Sequence, residues 1–342
     1  MSRPAAPPPV AADWVAMLGE RRPLRLSAPS PAHDLPAHDL PAHDLPAHDL
    51  PAHVRAGSGL VRWRGDLVVI QDDVNALAFI DERGTVTFLP LPAAADGRRS
   101  FSERDGNKAL KMDLEACVVL PDGRLVAFGS GSTPRREQIV VLSDPEHATI
   151  VDGAPFYESL RARADFSGSE LNLEGAVVHQ RRLRLFQRGN GASRGERGAV
   201  NAVGDVDLDA FLRWLDARGP VPALCAVRPV ELGSASGVAF GFTDALALPD
   251  GRVLFLAGAE DSPDTYRDGE VLGARLGFLE PDRVISTDVL EPDGTPTRLK
   301  LEGLELVAVG PDRIELVVVA DMDDPDVPCV LVPLTVRPRG AA

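Results

Sequence analysis

Cysteine is nearly absent from this 342-residue chain. Cys117, Cys225 and Cys329 stand far apart, each beside an apolar run, so neither a disulfide framework nor a thiolate zinc cage can be assembled from them. All three are expected to be buried core thiols. Aromatic residues make up only 5% of the sequence, which leaves aliphatic side chains to supply most of the burial. Basic residues are outnumbered by acidic ones, 36 to 51, for a formal charge of −15. That field repels phosphate backbones and anionic lipid, so neither nucleic acid nor a membrane surface is an expected partner. No uninterrupted apolar stretch approaches the ~18 residues of a membrane span, and the first twenty residues lack a continuous apolar segment of signal-peptide type. The chain is expected to be soluble, reduced and cytoplasmic. Histidine is scarce where it would matter for catalysis. Outside residues 31–53 only His147 and His179 remain, and no Gly-x-Ser-x-Gly occurs, which excludes a histidine-based triad.

What is present is ordinary globular composition, 44% apolar and 25% charged, with two kinds of repeat. Between Pro31 and His53 the unit Pro-Ala-His-Asp-Leu occurs four times, and a fifth copy breaks off as Pro-Ala-His-Val. A proline every fifth residue forbids helix continuation and strand pairing, so the segment reads as a spacer and not as a metal tract. It divides the chain into an N-terminal segment, 1–30, a linker, 31–55, and a body, 56–337.

The body carries a longer repeat: an apolar strand entered through an acidic residue, a tight turn, a second apolar strand and a polar exit. Five copies turn at Arg64-Gly-Asp, Pro121-Asp-Gly, Gln180-Arg-Arg, Pro249-Asp-Gly and Pro311-Asp-Arg, spaced 57, 59, 69 and 62 residues apart. That spacing suits a four-stranded blade with one long connection and does not suit a helical repeat. The expected fold is an all-β β-propeller with five blades, or six if a degenerate blade is hidden, and with short helical insertions near Pro155 to Ala164 and Asp207 to Ala217. The fifth copy is one strand short, and Pro23 to Ser27 is expected to close it.

In a propeller the start of the innermost strand and the end of the next strand meet on one rim of the disc. Those positions hold Lys111, Asp113, Glu115, Asn172, Glu174, Asp244, Lys300, Glu302 and Glu305 at the starts. At the exits they hold Asp72, Asp73, Ser130, Ser132, Arg188, Asn190, Glu260, Asp261, Asp321, Asp323 and Asp324. Carboxylates crowded round a narrow axis repel one another, so the set requires a cation or interleaved basic groups. Hard oxygen donors suit calcium or magnesium, with Asp244, Glu260, Glu302 and Asp321 as candidate ligands. Glu115 or Glu174 is the candidate general base. Lys108, Lys111 and Arg188 would orient a small anionic or polar ligand, together with Ser130, Ser132, Asn190 and Lys300. The chain contains only three lysines, and all three lie just before an acidic strand start. Gly129-Ser-Gly-Ser-Thr-Pro-Arg-Arg has the composition of an anion cradle but lacks the Gly-Lys-Ser/Thr of a P-loop.

Several motifs are specific: Lys108-Ala-Leu-Lys-Met-Asp-Leu-Glu-Ala, Gly129-Ser-Gly-Ser-Thr-Pro-Arg-Arg, Leu173-Glu-Gly-Ala, Phe186-Gln-Arg-Gly-Asn-Gly, Gly241-Phe-Thr-Asp-Ala, Ala259-Glu-Asp, Lys300-Leu-Glu-Gly and Ala320-Asp-Met-Asp-Asp. Together they resemble an uncharacterised bacterial β-propeller family loosely related to esterase-like and phytase-like propellers, over roughly Phe101 to Leu334. The wider resemblance implies calcium and phosphate held in the channel by carboxylates and basic side chains. It carries over a location and not a ligand set. Three functions remain open from the sequence: a divalent-metal-dependent phosphoester or ester hydrolase, a noncatalytic small-ligand-binding propeller, and an interaction scaffold.

Overall fold

The computed structural model describes residues 14–27, 49–261 and 269–339. Most of the Pro-Ala-His-Asp-Leu repeat, residues 31–48, lies outside them. Four strands form each antiparallel set. The first runs through Gly57–Trp63, Asp66–Gln71, Ala76–Ile80 and Val86–Pro90. The second comprises Leu114–Val119, Leu125–Gly129, Gln138–Asp144 and His147–Asp152, and the third Leu173–His179, Arg182–Gln187, Ala202–Asp207 and Leu224–Pro229. Gly241–Ala247, Val253–Asp261, Glu270–Leu279 and Val284–Leu290 make the fourth. Lys300–Val309, Ile314–Asp321 and Val330–Pro338 begin the last, and the N-terminal strand Trp14–Leu18 completes it.

The first strand of each set packs against the first strand of the next, and the last such strand, Lys300–Val309, returns to Gly57–Trp63. Five separate apolar cores fill the spaces between successive sheets, including one between the last sheet and the first. The fold is therefore a β-propeller, an all-β ring with a polar axis. The central strands are short and largely aliphatic, as a fully buried strand must be, and each hairpin turn is closed by Pro-Asp-Gly or its polar substitute. Gly123 and Gly251 have φ of +88°, a left-handed geometry in which glycine avoids the Cβ clash.

Ring closure uses a different segment from the one expected. Trp14–Leu18 pairs antiparallel along Leu334 to Pro338 and also parallel to Val289 and Leu290 of the preceding sheet. Within Pro23 to Ser27, only Pro23 takes part in the short ladder of Arg22 and Pro23 with Leu331 and Val330. The reason is apolar pattern: Trp14, Ala16 and Leu18 are buried on one face of a strand, whereas Pro23 cannot donate to a ladder. The linker boundary also shifts. Asp49 accepts from the Arg99 amide, Val54 is fully buried and the Arg55 side chain is buried among carboxylates, so the propeller body begins before residue 56.

Helices α1 (Ala154–Arg161), α2 (Ala164–Ser167) and α3 (Leu208–Leu215) fall where insertions were expected. They are packed structure: Phe156, Tyr157, Leu160 and Phe211 are buried in the core between the second and third sheets. Two cysteines follow expectation, with Cys117 and Cys329 buried. Cys225 is exposed, donating to the Asp205 carbonyl oxygen and receiving the Arg182 guanidinium. No helix among the described residues is long and apolar enough to cross a membrane.

Removing residues 1–18 strips Trp14, Ala16 and Leu18 from their core and bares two strand edges. Burial of side chains as large as Trp14 and Leu18 contributes about 1.5–3 kcal/mol each, so the truncated protein is expected to melt about 10 °C lower and to associate through the open edges. Thermal denaturation with light scattering measures both effects; an unchanged, monomeric variant would contradict this closure.

Candidate functional site at the channel rim

Each innermost strand carries a β-bulge one or two residues after it starts. The extra residue is Ser58, Glu115, Glu174, Thr243 or Glu302 in the five successive strands. A bulge re-aims one side chain out of the pleat, and here it recurs at equivalent positions around the axis. The next residue is Gly59, Ala116, Gly175, Asp244 or Gly303. Small residues are needed because the strands approach closely: a Cβ on Gly303 would lie 2.6 Å from the Leu60 nitrogen, and one on Gly175 would lie 3.2 Å from the Ala245 nitrogen.

Asp244 breaks that rule by becoming a staple. Its oxygens accept from the amides of Ala245 at 2.7 Å and Leu304 at 2.8 Å, the latter on the adjacent inner strand. Glu305 repeats the device one strand on, accepting from Arg62 at 2.6 Å and Leu306 at 2.7 Å. The bulged hydroxyls also tie neighbours together, Thr243 donating to the Leu301 carbonyl at 2.7 Å and Ser58 to that of Leu114. Three bulged glutamates, Glu115, Glu174 and Glu302, are left for the channel.

Around Glu115 the charges form a compact group. Lys111 Nζ lies 2.5 Å from Asp72, 3.1 Å from Asp73 and 2.9 Å from Asp113. Arg136 reaches Asp113 at 2.9 Å, Arg55 reaches Asp73 at 3.3 Å and Lys108 lies 3.7 Å from the same carboxylate. Asp72, Asp113 and Glu115 each offer one carboxylate oxygen within 4.8 Å of the others. Burial and the neighbouring carboxylates push Asp72 and Glu115 well above the usual range, while Lys111 and Arg136 hold Asp113 below it against burial.

The second group surrounds Glu174 and Glu302. Arg188 bridges Glu174 at 3.3 Å and Glu260 at 2.7 Å, and Asn172 donates to Glu174 at 2.7 Å and to Asn190 at 3.2 Å. Lys300 lies 2.9 Å from Asp323, 3.9 Å from Glu260 and 4.0 Å from Asp321. Glu174 Oε2 and Glu302 Oε1 are buried with no described hydrogen-bond donor. Burial raises Glu174 to about 7 despite Arg188, and it raises Glu302 well above the ordinary carboxyl value. A cavity of about 280 Å³ opens between the strand exits of the first and last sheets, lined in part by Arg55, Asp72, Asp73, Lys108, Asp321 and Asp323.

The expected residues thus lie on one rim but divide between two groups. Glu115 and Lys111 with Lys108 belong to the first, and Glu174, Arg188, Asn190, Lys300, Glu260, Glu302 and Asp321 to the second. Of the four carboxylates expected to share a metal, Asp244 has both oxygens committed to backbone amides, and Glu260 is held by Arg188 and by the Gly269 amide at 2.7 Å. The converging oxygens among the described residues are those of Asp72, Asp113 and Glu115. Ser130 and Ser132 do not form an open cradle. They bond each other at 2.8 Å, Ser130 donates to Asp113, and Ser132 accepts from Arg136 at 3.0 Å. Helix α1 presses on this loop, with Tyr157 Oη donating to the Gly129 carbonyl at 2.7 Å. Arg55 was missed because its segment reads as linker. Its one sequence signal is that it immediately precedes a strand start.

Groups such as Glu302, whose folded pKa lies above the unfolded value, bind a proton in the native state that the unfolded state has released. Stability is therefore lost as pH climbs above about 4.5, toward the folded pKa. Glu302→Gln is expected to melt about 5 °C higher than the parent at pH 8 and at the same temperature at pH 4. Glu174→Gln should flatten the fall in melting temperature between about pH 4.5 and 7. Melting curves across this range test both; a higher parent stability at pH 8 would show that the buried carboxylates are better compensated than this geometry allows.

No curated protein matches the sequence. Among solved structures, a gluconolactonase from Xanthomonas campestris is similar at 13% identity, over 97% of this chain and 98% of that one, with a TM-score of 0.40. A mannose phosphorylase from Leishmania mexicana, in complex with phosphate ion, is similar at 13% identity over 82% and 83%, with a TM-score of 0.42. Virginiamycin B lyase from Staphylococcus aureus is similar at 11% identity and a TM-score of 0.32, over 81% of this chain, which spans 65% of the lyase's length. Residues 53–336 match the model of DUF6929, a family of unknown function, and the chain belongs to that family.

Proposed function

We propose that the protein is a hydrolase of small phosphoesters or carboxylic esters, acting at the channel rim with one divalent cation. The observation that carries this reading is the convergence of Asp72, Asp113 and Glu115. Their oxygens, all within 4.8 Å of one another, have the spread expected around a single hard cation whose bonds to oxygen are about 2.3–2.6 Å. Calcium or magnesium fits this all-oxygen set, and a bound cation would supply Lewis-acid polarisation of an ester or phosphoryl oxygen.

The chain's own residues divide the remaining tasks. Glu174 is the general base. Its Oε2 has no described donor, and a carboxyl with a pKa of about 7 exists partly as the base at neutral pH while still accepting a proton readily. Arg188 and Asn172 fix its other oxygen. Lys108 and Arg55, on the wall of the 280 Å³ cavity, hold the anionic group of the substrate, and Lys300 on the facing side limits repulsion from Asp321 and Asp323. A cavity of this size takes a small ligand and leaves no room for a polymer.

A second reading, a binding site without turnover, is favoured by the position of Lys111. Its ammonium already sits among Asp72, Asp73 and Asp113, so a metal must share these aspartates with a fixed charge. Metal affinity is then expected to be modest in the parent and higher in Lys111→Gln. The test is a calcium and magnesium titration of melting temperature, with elemental analysis and turnover of nitrophenyl phosphate and nitrophenyl acetate. The hydrolase reading expects stabilisation by metal, loss of that stabilisation in Glu115→Gln, and a fall of at least ~100-fold in kcat in Glu174→Gln with metal response retained. Metal response without turnover leaves the binding reading; no response in the parent or in Lys111→Gln removes the metal from both.

A further inference from the structure

A second cavity, about 420 Å³, lies between the third and fourth sheets at the hairpin-turn end of the strands. The inner strand Leu173–His179 runs from the channel rim, where Glu174 sits, to His179 on the wall of this cavity. At about 3.3 Å per residue the two places are roughly 16 Å apart. In a protein with a net charge of −15, this wall carries three arginines, Arg184, Arg228 and Arg252, against Asp205 and Glu280. Asp205 is occupied, receiving Arg184 through two bonds of 2.7 and 2.8 Å.

The internal repeat shows what the other two arginines lack. At the same turn position in the second sheet, Arg124 is fully answered. It places Nε and Nη2 on Asp122 at 2.9 and 2.7 Å, and Nη1 on Asp216, at the end of α3, at 2.8 Å. In the fourth sheet Arg252 keeps the local bond, Nε to Asp250 at 2.8 Å, but no counterpart of Asp216 is present among the described residues. Its Nη1 and Nη2 are buried and have no described acceptor. The guanidinium lies 4.8 Å over the Phe278 ring, which attracts the charge yet leaves the in-plane N–H groups unanswered. Arg228 is half-buried, with no ion pair or hydrogen bond from its side chain among the described residues. Burial and the like charge of Arg184 disfavour its own charge, and Asp282 and Asp205 only partly offset them. A buried donor without an acceptor is costly, and Arg252 shares the wall of this cavity with the half-buried Arg228.

We infer that this cleft binds a small oxyanion, a phosphate or carboxylate group, held between Arg252 and Arg228. Val203, Val253 and Leu279 line the same cleft and would lie against an apolar remainder of the ligand. The inference does not depend on the hydrolase reading, since no residue is shared with the channel rim.

The probe is inorganic phosphate, with acetate at matched ionic strength, titrated calorimetrically and by melting temperature into the full chain. Saturable binding is expected for at least one of them, and preference between the two tells a phosphate ligand from a carboxylate. In a Lys108→Gln background, which removes the anion-holding side chain proposed at the channel rim, Arg252→Gln and Arg228→Gln should each weaken binding at least ~10-fold, the loss of one charge-assisted bond, whereas Arg313→Gln, at the turn of the last sheet and paired with Glu315, should leave it unchanged. Arg228→Gln should also raise the melting temperature in anion-free buffer by relieving its repulsion with Arg184, which a purely structural arginine would not do. In that background, absence of binding by both anions, binding that survives both cleft substitutions, or binding abolished by Arg313→Gln would each overturn the proposal.

Discussion

Backbone crowding at the axis governs this structure. Five strands start close together, and the contact is tight enough that the position after each bulge admits only Gly or Ala, or an aspartate whose side chain replaces a missing bond to the next strand. The bulge preceding it turns one polar side chain per strand out of the pleat. Hydroxyls in that place tie neighbouring strands together, and glutamates in that place have nowhere to go except the channel. The site's charge is therefore a consequence of how the ring closes, and every carboxyl displaced upward there has burial as its first cause.

Concentrated negative charge then dictates the placement of the positive groups. Lys111, Arg136, Arg55 and Lys108 gather on the first carboxylate group, while Arg188 and Lys300 serve the second. The ammonium groups of Lys111 and Lys300 each stand where three acids are reached from one point, and the planar guanidinium of Arg188 stands where two acids are bridged, in keeping with their geometries. Burial of Glu174 Oε2 and Glu302 Oε1 without donors is a stability cost held at the rim.

Internal repetition gives the molecule its own controls. Turn arginines recur at the outer end of the hairpins, and each finds a carboxylate or carbonyl within its surroundings except for the outer nitrogens of Arg252. Departures from the repeat mark function more sharply than any single motif does. Asp244 departs inward and becomes a staple; Arg252 departs at the opposite end and leaves its two outer nitrogens without an acceptor.

Much of this was legible in the residues. Turn spacing and apolar runs determined the repeating strand pairs, and the fifth copy's missing strand demanded an N-terminal one. The clustering of all three lysines before acidic strand starts placed them on the rim, because an inner strand's start can lie nowhere else. The rest needed three dimensions. Whether Trp14–Leu18 or Pro23 to Ser27 closes the ring depends on which segment can bury a face against two sheets. Whether Asp244 faces a metal or a neighbouring amide depends on a one-residue bulge that the sequence does not mark. Arg55 joined the site only through the path of the chain entering the first strand. A sequence by itself determines which side chains each strand can present; the distance between strands, set by packing around the whole ring, decides which of them meet.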